Sequence, residues 1–295
     1  MALALLIPAL AGLVNRRATV TDQVKLGIKE WSLPVEGPWG CKTAAEVGFE
    51  GIQLDVGSYQ RNFPKAKRCV QDAYLEAAAK YGIQYTSIDC NELDHFSMVA
   101  PKGFPERAIA FKTIIAAIDA AAAMQIPNVM IQSFQASALE TDQDIERAIN
   151  VLRQVSDYAL EKGEITLGLE NLLSVEDLLR VIDEVGNPNV KVYFDTQNYY
   201  LDSKANVAAM VEPLISHICQ VHVKDGYEAD IEPSGALLGE GDSRFFDTIA
   251  ELRRCGYSGW LISENFYDRG PVSRLSDDPV ELMSKDYQTL KGIVW

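Results

Sequence analysis

Four polar residues stand where short apolar runs end: Glu170 after Thr-Leu-Gly-Leu, Asp195 after Val-Lys-Val-Tyr-Phe, His222 inside Ile-Cys-Gln-Val-His-Val, and Glu264 after Trp-Leu-Ile-Ser. Carboxylates and a neutral imidazole are the donors that an oxygen-preferring divalent cation takes. Singly, each has a plainer reading. A lone histidine, here one of three, serves equally well as a hydrogen-bonded core residue, and a lone acid as a salt-bridge partner or helix N-cap. Together they demand more, because three acids at the ends of apolar runs are costly to bury without a counter-charge. A divalent cation supplies one. Three oxygen donors, one nitrogen and no sulfur favour Mn2+, with Mg2+, Co2+ or Zn2+ as alternatives.

The elements that must position these groups alternate along the chain. Short runs rich in β-branched residues are read as strands at 26–33, 51–56, 84–90, 129–134, 166–171, 190–196, 218–224 and 260–264, and each is followed by a helical pattern. Those helices are expected at 40–47, 65–81, 105–124, 144–162, 174–186, 204–216, 245–255 and 279–291. Pro105 suits a first helical turn, Gly82 and Gly163 close helices, and Ser174 with Asp177 three residues on approximates a capping box. Eight such units in strict alternation predict an α/β fold, a (β/α)8 TIM barrel. A doubly wound sheet also alternates, but no G-x-G-x-x-G follows the first strand and no G-x-x-x-x-G-K-[ST] is present. Without a linker-like tract, residues 25–295 are read as one barrel domain and 1–24 as an N-terminal extension, helical over its apolar part, Ala2 to Val14. That part is too short to span a bilayer and lacks a basic leader, so no membrane partner is expected.

In a barrel of this kind the active site lies at the C-terminal ends of the strands, so the four residues converge on one rim. The formal charge of -15 repels a phosphate backbone, which argues against nucleic acid as a partner. The five cysteines are scattered, with no C-x-x-C pair, as expected of reduced thiols in a cytoplasmic protein.

Leu169-Glu170-Asn171, Phe194-Asp195-Thr196-Gln197-Asn198, Val221-His222-Val223-Lys224-Asp225, Leu238-Gly239-Glu240-Gly241-Asp242 and Gly256-Tyr257-Ser258-Gly259-Trp260 leading to Glu264 form an ordered series. That series resembles the signature of the xylose isomerase-like barrels, the sugar-phosphate isomerase/epimerase group. The resemblance implies that Glu170, Asp195, His222 and Glu264 hold one divalent metal ion. It also implies that Glu170 and Glu264 act as an acid/base pair on a metal-stabilised enediolate of a sugar, sugar phosphate or keto-polyol. One position departs from the pattern. The 3-epimerases of the group resemble Asp-x-x-His at strand six, whereas this chain has Asn198, which orients a hydroxyl but shuttles no proton at neutral pH. That departure argues against 3-epimerisation specifically.

Lys224 is a candidate for binding a substrate carboxylate, phosphate or enolate oxygen, or equally for a salt bridge. Asn198, Asn171 beside a ligand, and Trp31 are entered as substrate contacts, and the Gly239–Asp242 loop as a structural turn rather than a phosphate cradle. The leading expectation is a sugar isomerase or epimerase acting in carbohydrate metabolism. A metal-dependent lyase is the alternative, since the same enolate can expel a β-substituent. A non-catalytic sugar-binding relative or an apurinic-site endonuclease comes last, three histidines being few for a multi-metal cluster. By analogy with the group, a homodimer or homotetramer is expected.

Overall fold

The computed structural model describes residues 23–227 and 234–295. Eight strands, β1 (Lys25–Lys29), β2 (Gly51–Asp55), β3 (Gln84–Asp89), β4 (Asn128–Gln132), β5 (Thr166–Glu170), β6 (Val190–Asp195), β7 (Ile218–Val223) and β8 (Trp260–Ser263), pair in parallel as a closed barrel in chain order. β1 closes on β8 with Leu26 opposite Leu261 and Ile28 opposite Ser263. Around it lie α1 (Gly40–Val47), α2 (Arg68–Tyr81), α3 (Pro105–Met124), α4 (Asp142–Lys162), α5 (Val175–Val185), α6 (Asn198–Ser203), α7 (Val207–Leu214), α8 (Phe245–Arg254) and α9 (Pro279–Ile293). The TIM-barrel reading is therefore shown. The helix expected within residues 1–24 lies outside the described residues.

The main apolar core fills the layer between barrel and helices. Val129, Ile131, Leu167, Leu169 and Val192 from the strands meet Ile114, Ile118, Leu152, Val155 and Val181 from the helices, all essentially inaccessible to water. Inside the barrel the packing is more polar. Ser87 Oγ lies 3.3 Å from the Tyr193 hydroxyl, which donates to Gln220 Oε1 at 2.9 Å, and the Gln220 amide donates to the Thr86 carbonyl. Pairing each of these groups offsets the cost of burying it. Tyr193 fits because Gly168 on β5 leaves room for its ring: a Cβ there would lie 3.0 Å from that ring and 2.8 Å from Cys219 Sγ.

Two boundaries differ from expectation in ways that shape the site. The first strand stops at Lys29 rather than Leu33, because Glu30–Ser32 turn as a 3-10 helix that carries Trp31 over the barrel mouth. The helix expected at 204–216 is α7, and a further short helix, α6, precedes it, the two parted at Lys204, whose backbone is left-handed (φ 56). Asp195 explains why a helix begins as early as Asn198. Its Oδ1 accepts the backbone N–H groups of Gln197 (2.7 Å) and Asn198 (2.6 Å), fixing the first turn. α4 likewise begins two residues before the expected start, where Thr141 and Asp144 form a reciprocal capping box. At α5, Ser174 accepts from the Asp177 N–H as expected.

Candidate active site

The four sequence-selected residues meet at the C-terminal mouth of the barrel. Glu170 ends β5, Asp195 ends β6, His222 is the penultimate residue of β7, and Glu264 follows β8. One ligand atom from each lies within 4.8 Å of the others, and all four side chains are buried. His222 is held from both ends. Its Nε2 is 2.5 Å from Gln53 Oε1 on β2, and the Gln53 amide nitrogen points to Met130 Sδ at 3.3 Å, leaving the Gln53 oxygen as acceptor. The Tyr193 ring packs 4.5 Å from the imidazole, centroid to centroid.

With Nε2–H donating to Gln53, a neutral His222 turns the bare Nδ1 toward the carboxylates, 2.9 Å from Glu170 Oε1 and 3.1 Å from Glu264 Oε2. Burial alone would depress protonation of this imidazole. The carboxylates of Glu264 and Glu170 outweigh it and bring the pKa up to about 9. A proton on Nδ1 thus partly offsets the carboxylate charge when no cation is bound.

The surrounding cations are arranged unequally. Lys29 Nζ lies 2.9 Å from Glu264 Oε1 and 3.3 Å from Asp89 Oδ2, and Lys224 Nζ lies 2.5 Å from Glu264 Oε2 and 3.2 Å from Asp195 Oδ2. Although burial disfavours its charge, Glu264 is held well below the usual carboxylate range by His222, Lys224 and Lys29. Asp195 goes the other way, since burial raises its pKa against the pull of Lys224. Its Oδ1 is taken by the two backbone amides, and Oδ2 has no hydrogen-bond donor among the described residues; the Lys224 ammonium is near enough for charge attraction but not aligned to donate. A buried, unpaired oxygen aimed at two glutamates and a bare imidazole nitrogen is an arrangement a divalent cation completes, so the residues present fit a metal site.

Beside this cluster opens a cavity of about 440 Å³, within the range of small-molecule sites. Glu170, Glu264, Lys224 and Asn198 line one side, and Trp31, Phe134 and Phe266 supply apolar wall. Trp31 packs 5.8 Å from Phe266, centroid to centroid, and receives the Lys29 ammonium 3.4 Å from its ring centre.

The match that decides the family covers residues 41–291, against the description "Xylose isomerase-like TIM barrel". The chain belongs to the xylose isomerase-like TIM barrel family. It is 29% identical over 258 residues to 2-epi-5-epi-valiolone 7-phosphate 2-epimerase of Actinoplanes sp., covering 86% of this chain and 92% of that one. The fold resembles D-psicose 3-epimerase from Clostridium cellulolyticum H10, solved with D-tagatose (TM-score 0.74, 14% identity, covering 92% of this chain and 99% of that one). It also resembles the IOLI protein solved with a zinc atom (TM-score 0.71, 13% identity, covering 90% and 96%).

Not every polar residue picked from the signature of this xylose isomerase-like chain reaches the cavity. Asn198 does, with Nδ2 3.3 Å from Glu170 Oε1. Asn171 does not line it: its Oδ1 accepts the Leu173 N–H and its amide faces the Leu169 carbonyl, so the side chain shapes the turn after β5. Lys224 pairs with Asp195 and Glu264 rather than with Asp225. Asp225 instead organises the next loop, accepting from the N–H groups of Gly226, Gly239, Gly241 and Ser243 and from the Ser243 hydroxyl. Gly241 is required there, since a Cβ would fall 2.4 Å from Asp225 Oδ1. The Gly239–Asp242 loop is thus a turn built on Asp225 and is not part of the cavity wall. Five cavity-lining polar residues, Lys29, Asp94, Gln132, Gln135 and Asp202, were missed. Lys29 and Gln132 obeyed the same rule of a polar residue ending an apolar run, but neither is an acid or an imidazole.

Proposed function

We propose that this protein is a divalent-metal-dependent isomerase or epimerase of a keto-sugar or keto-polyol, moving a carbon-bound proton between two glutamates. The observation that carries the reading is the pairing of Glu170 and Glu264 on the two sides of His222 Nδ1, both facing one cavity and differing in their neighbours. Glu264 is braced by two ammonium groups, while among the described residues the Glu170 carboxylate meets the Asn198 amide and the imidazole. Two carboxyl groups facing one cavity are what proton removal on one face of a substrate and return on the other require.

Glu170, Asp195, His222 and Glu264 would hold the cation, with Mn2+ the first choice. Bound there, it would polarise a substrate carbonyl and its neighbouring hydroxyl and so acidify the adjacent C–H. Glu264, kept ionised, accepts that proton, and Glu170 returns one from the other side. Lys224, buried between Asp195 and Glu264, places an ammonium where negative charge develops on the substrate oxygen. Trp31, Phe134 and Phe266 exclude water from the reacting carbon. The named activity of the Actinoplanes relative supports epimerisation of a polyhydroxylated ketone.

The test is solvent exchange. Metal-loaded protein in D2O with a panel of ketoses and keto-cyclitols should place deuterium at the carbon next to the carbonyl, and Glu170→Gln and Glu264→Gln should each abolish it. Loss of water from a substrate would replace the epimerase reading with a lyase. No exchange on any substrate, together with no bound divalent ion, would refute both.

A further inference from the structure

The proton-transfer reading places all its groups at the ends of β5 to β8, yet the cavity has a second wall from the other half of the barrel. Trp31 sits in the turn after β1, Asp94 in the 3-10 turn after β3 (Asn91–Asp94), and Gln132 ends β4. All three line the cavity. Each carries a buried polar atom without a partner among the described residues: Trp31 Nε1, Asp94 Oδ1 and Gln132 Oε1. Gln132 is only 3% exposed. Asp94 and Gln132 face the same cavity, and each keeps one buried oxygen without a donor among the described residues. Unpaired buried polar atoms carry a free-energy penalty that a complementary ligand removes.

We propose that Trp31, Asp94 and Gln132 form a subsite for the hydroxyl-bearing end of the substrate, away from the carboxylate–imidazole cluster, and that this subsite rejects a phosphoryl group. The proposal rests on the keto-polyol reading and adds the chemistry of the substrate's far end. Hydroxyls both donate and accept, matching two free acceptor oxygens and one free indole N–H. A phosphate dianion can only accept. It would face the Asp94 carboxylate, with Asp202 at the rim adding a second negative charge. The two lysines lining the cavity are already paired, Lys29 with Glu264 and Asp89 and Lys224 with Glu264 and Asp195, so among the described residues that wall carries no unpaired ammonium to match a dianion. A phosphoryl group on a substrate of this protein therefore belongs at another position.

The test compares binding of three probes to the metal-loaded full chain by calorimetry: D-fructose, D-erythrulose and D-fructose 6-phosphate. Erythrulose keeps the ketone and its neighbouring hydroxyls but lacks the far end. Fructose should bind at least roughly tenfold tighter than erythrulose, the gain expected from about one to two added buried hydrogen bonds. Gln132→Leu should reduce that ratio to below about threefold while leaving erythrulose affinity and metal content unchanged. Fructose 6-phosphate should bind at least roughly tenfold more weakly than fructose, a gap that Asp94→Asn should narrow. Tighter binding of the phosphate ester, equal weakening of both ketoses by Gln132→Leu, or no fructose binding at all would each overturn the proposal. Deuterium exchange into erythrulose reports on the glutamate pair alone, so failure there refutes the proton-transfer reading without touching the subsite, and the converse result refutes only the subsite.

Discussion

Replacing Gln53 by leucine tests how the imidazole is prepared for a metal. Gln53 Oε1 is the acceptor for His222 Nε2–H at 2.5 Å, and His222 is fully buried, so no water can replace that acceptor. In Gln53→Leu the tautomer with bare Nδ1, the one that can bind a cation, carries an unsatisfied buried N–H at a cost of about 1–3 kcal/mol. The other tautomer carries no such penalty, because its Nδ1–H can donate to Glu170 or Glu264, 2.9 and 3.1 Å away. Metal binding must overcome the whole difference, which converts to roughly 5- to 150-fold weaker affinity and agrees with the 10- to 100-fold typical of lost outer partners at metal sites. Leucine nearly conserves volume, so the barrel should still fold. The assay is calorimetric titration of stripped protein with Mn2+, with circular dichroism to confirm folding. A dissociation constant within about threefold of wild type in a folded variant would refute both the tautomer assignment and Nδ1 as the donor.

Other consequences follow from single contacts. Glu170→Gln removes a ligand oxygen and a proton carrier together, so bound Mn2+, measured by elemental analysis, and solvent exchange, measured by NMR, should fall in parallel. Lys224→Met deletes the ammonium 2.5 Å from Glu264 and 3.2 Å from Asp195, and should cut the exchange rate by roughly 10²-fold or more if that charge faces the developing oxyanion. Asp225→Ala strands five donors, three of them buried on Gly226 and Ser243, and should destabilise the protein by at least about 3 kcal/mol in urea denaturation. Asp286, buried against the Leu238 N–H, Asn265 and Tyr267, has its carboxyl pushed by burial up to about 6. The folded state then keeps a proton that the unfolded chain has lost, so stability contributed by this group is complete below about pH 4 and falls by about 3 kcal/mol as pH rises to about 6. Denaturation of wild type and Asp286→Leu across that window should show the wild-type advantage shrinking toward neutral pH.

The eight strands were legible because an apolar run with a polar end is a strong local signal, and the closed barrel followed from their alternation. Boundaries failed where a side chain, not backbone propensity, sets the turn. The helix start at Asn198 depends on Asp195 accepting two backbone N–H groups, and the end of β1 depends on the turn that lays Trp31 beside Lys29. Asn171 misled for the same reason: next to a ligand in sequence, it faces the backbone of its own turn, a choice of rotamer that spacing does not record.

That difference has a functional counterpart. The mouth is divided between β5 to β8, whose clustered acids and imidazole could hold a cation, and β1 to β4, whose Trp31, Asp94 and Gln132 keep atoms unpaired among the described residues beside the same cavity. Chemistry demands particular residue types, because few side chains can ligate a metal or carry a proton, and so that half can be read from residue identity at strand ends. Recognition of hydroxyls can be met by almost any polar side chain brought to the right place. Lys29 belongs to both halves: it ends β1, lies against the Trp31 ring, and sets the charge of Glu264 at 2.9 Å. Replacing it with methionine should therefore alter exchange into erythrulose, which needs only the glutamate pair, as strongly as exchange into fructose. Gln132→Leu should separate the two.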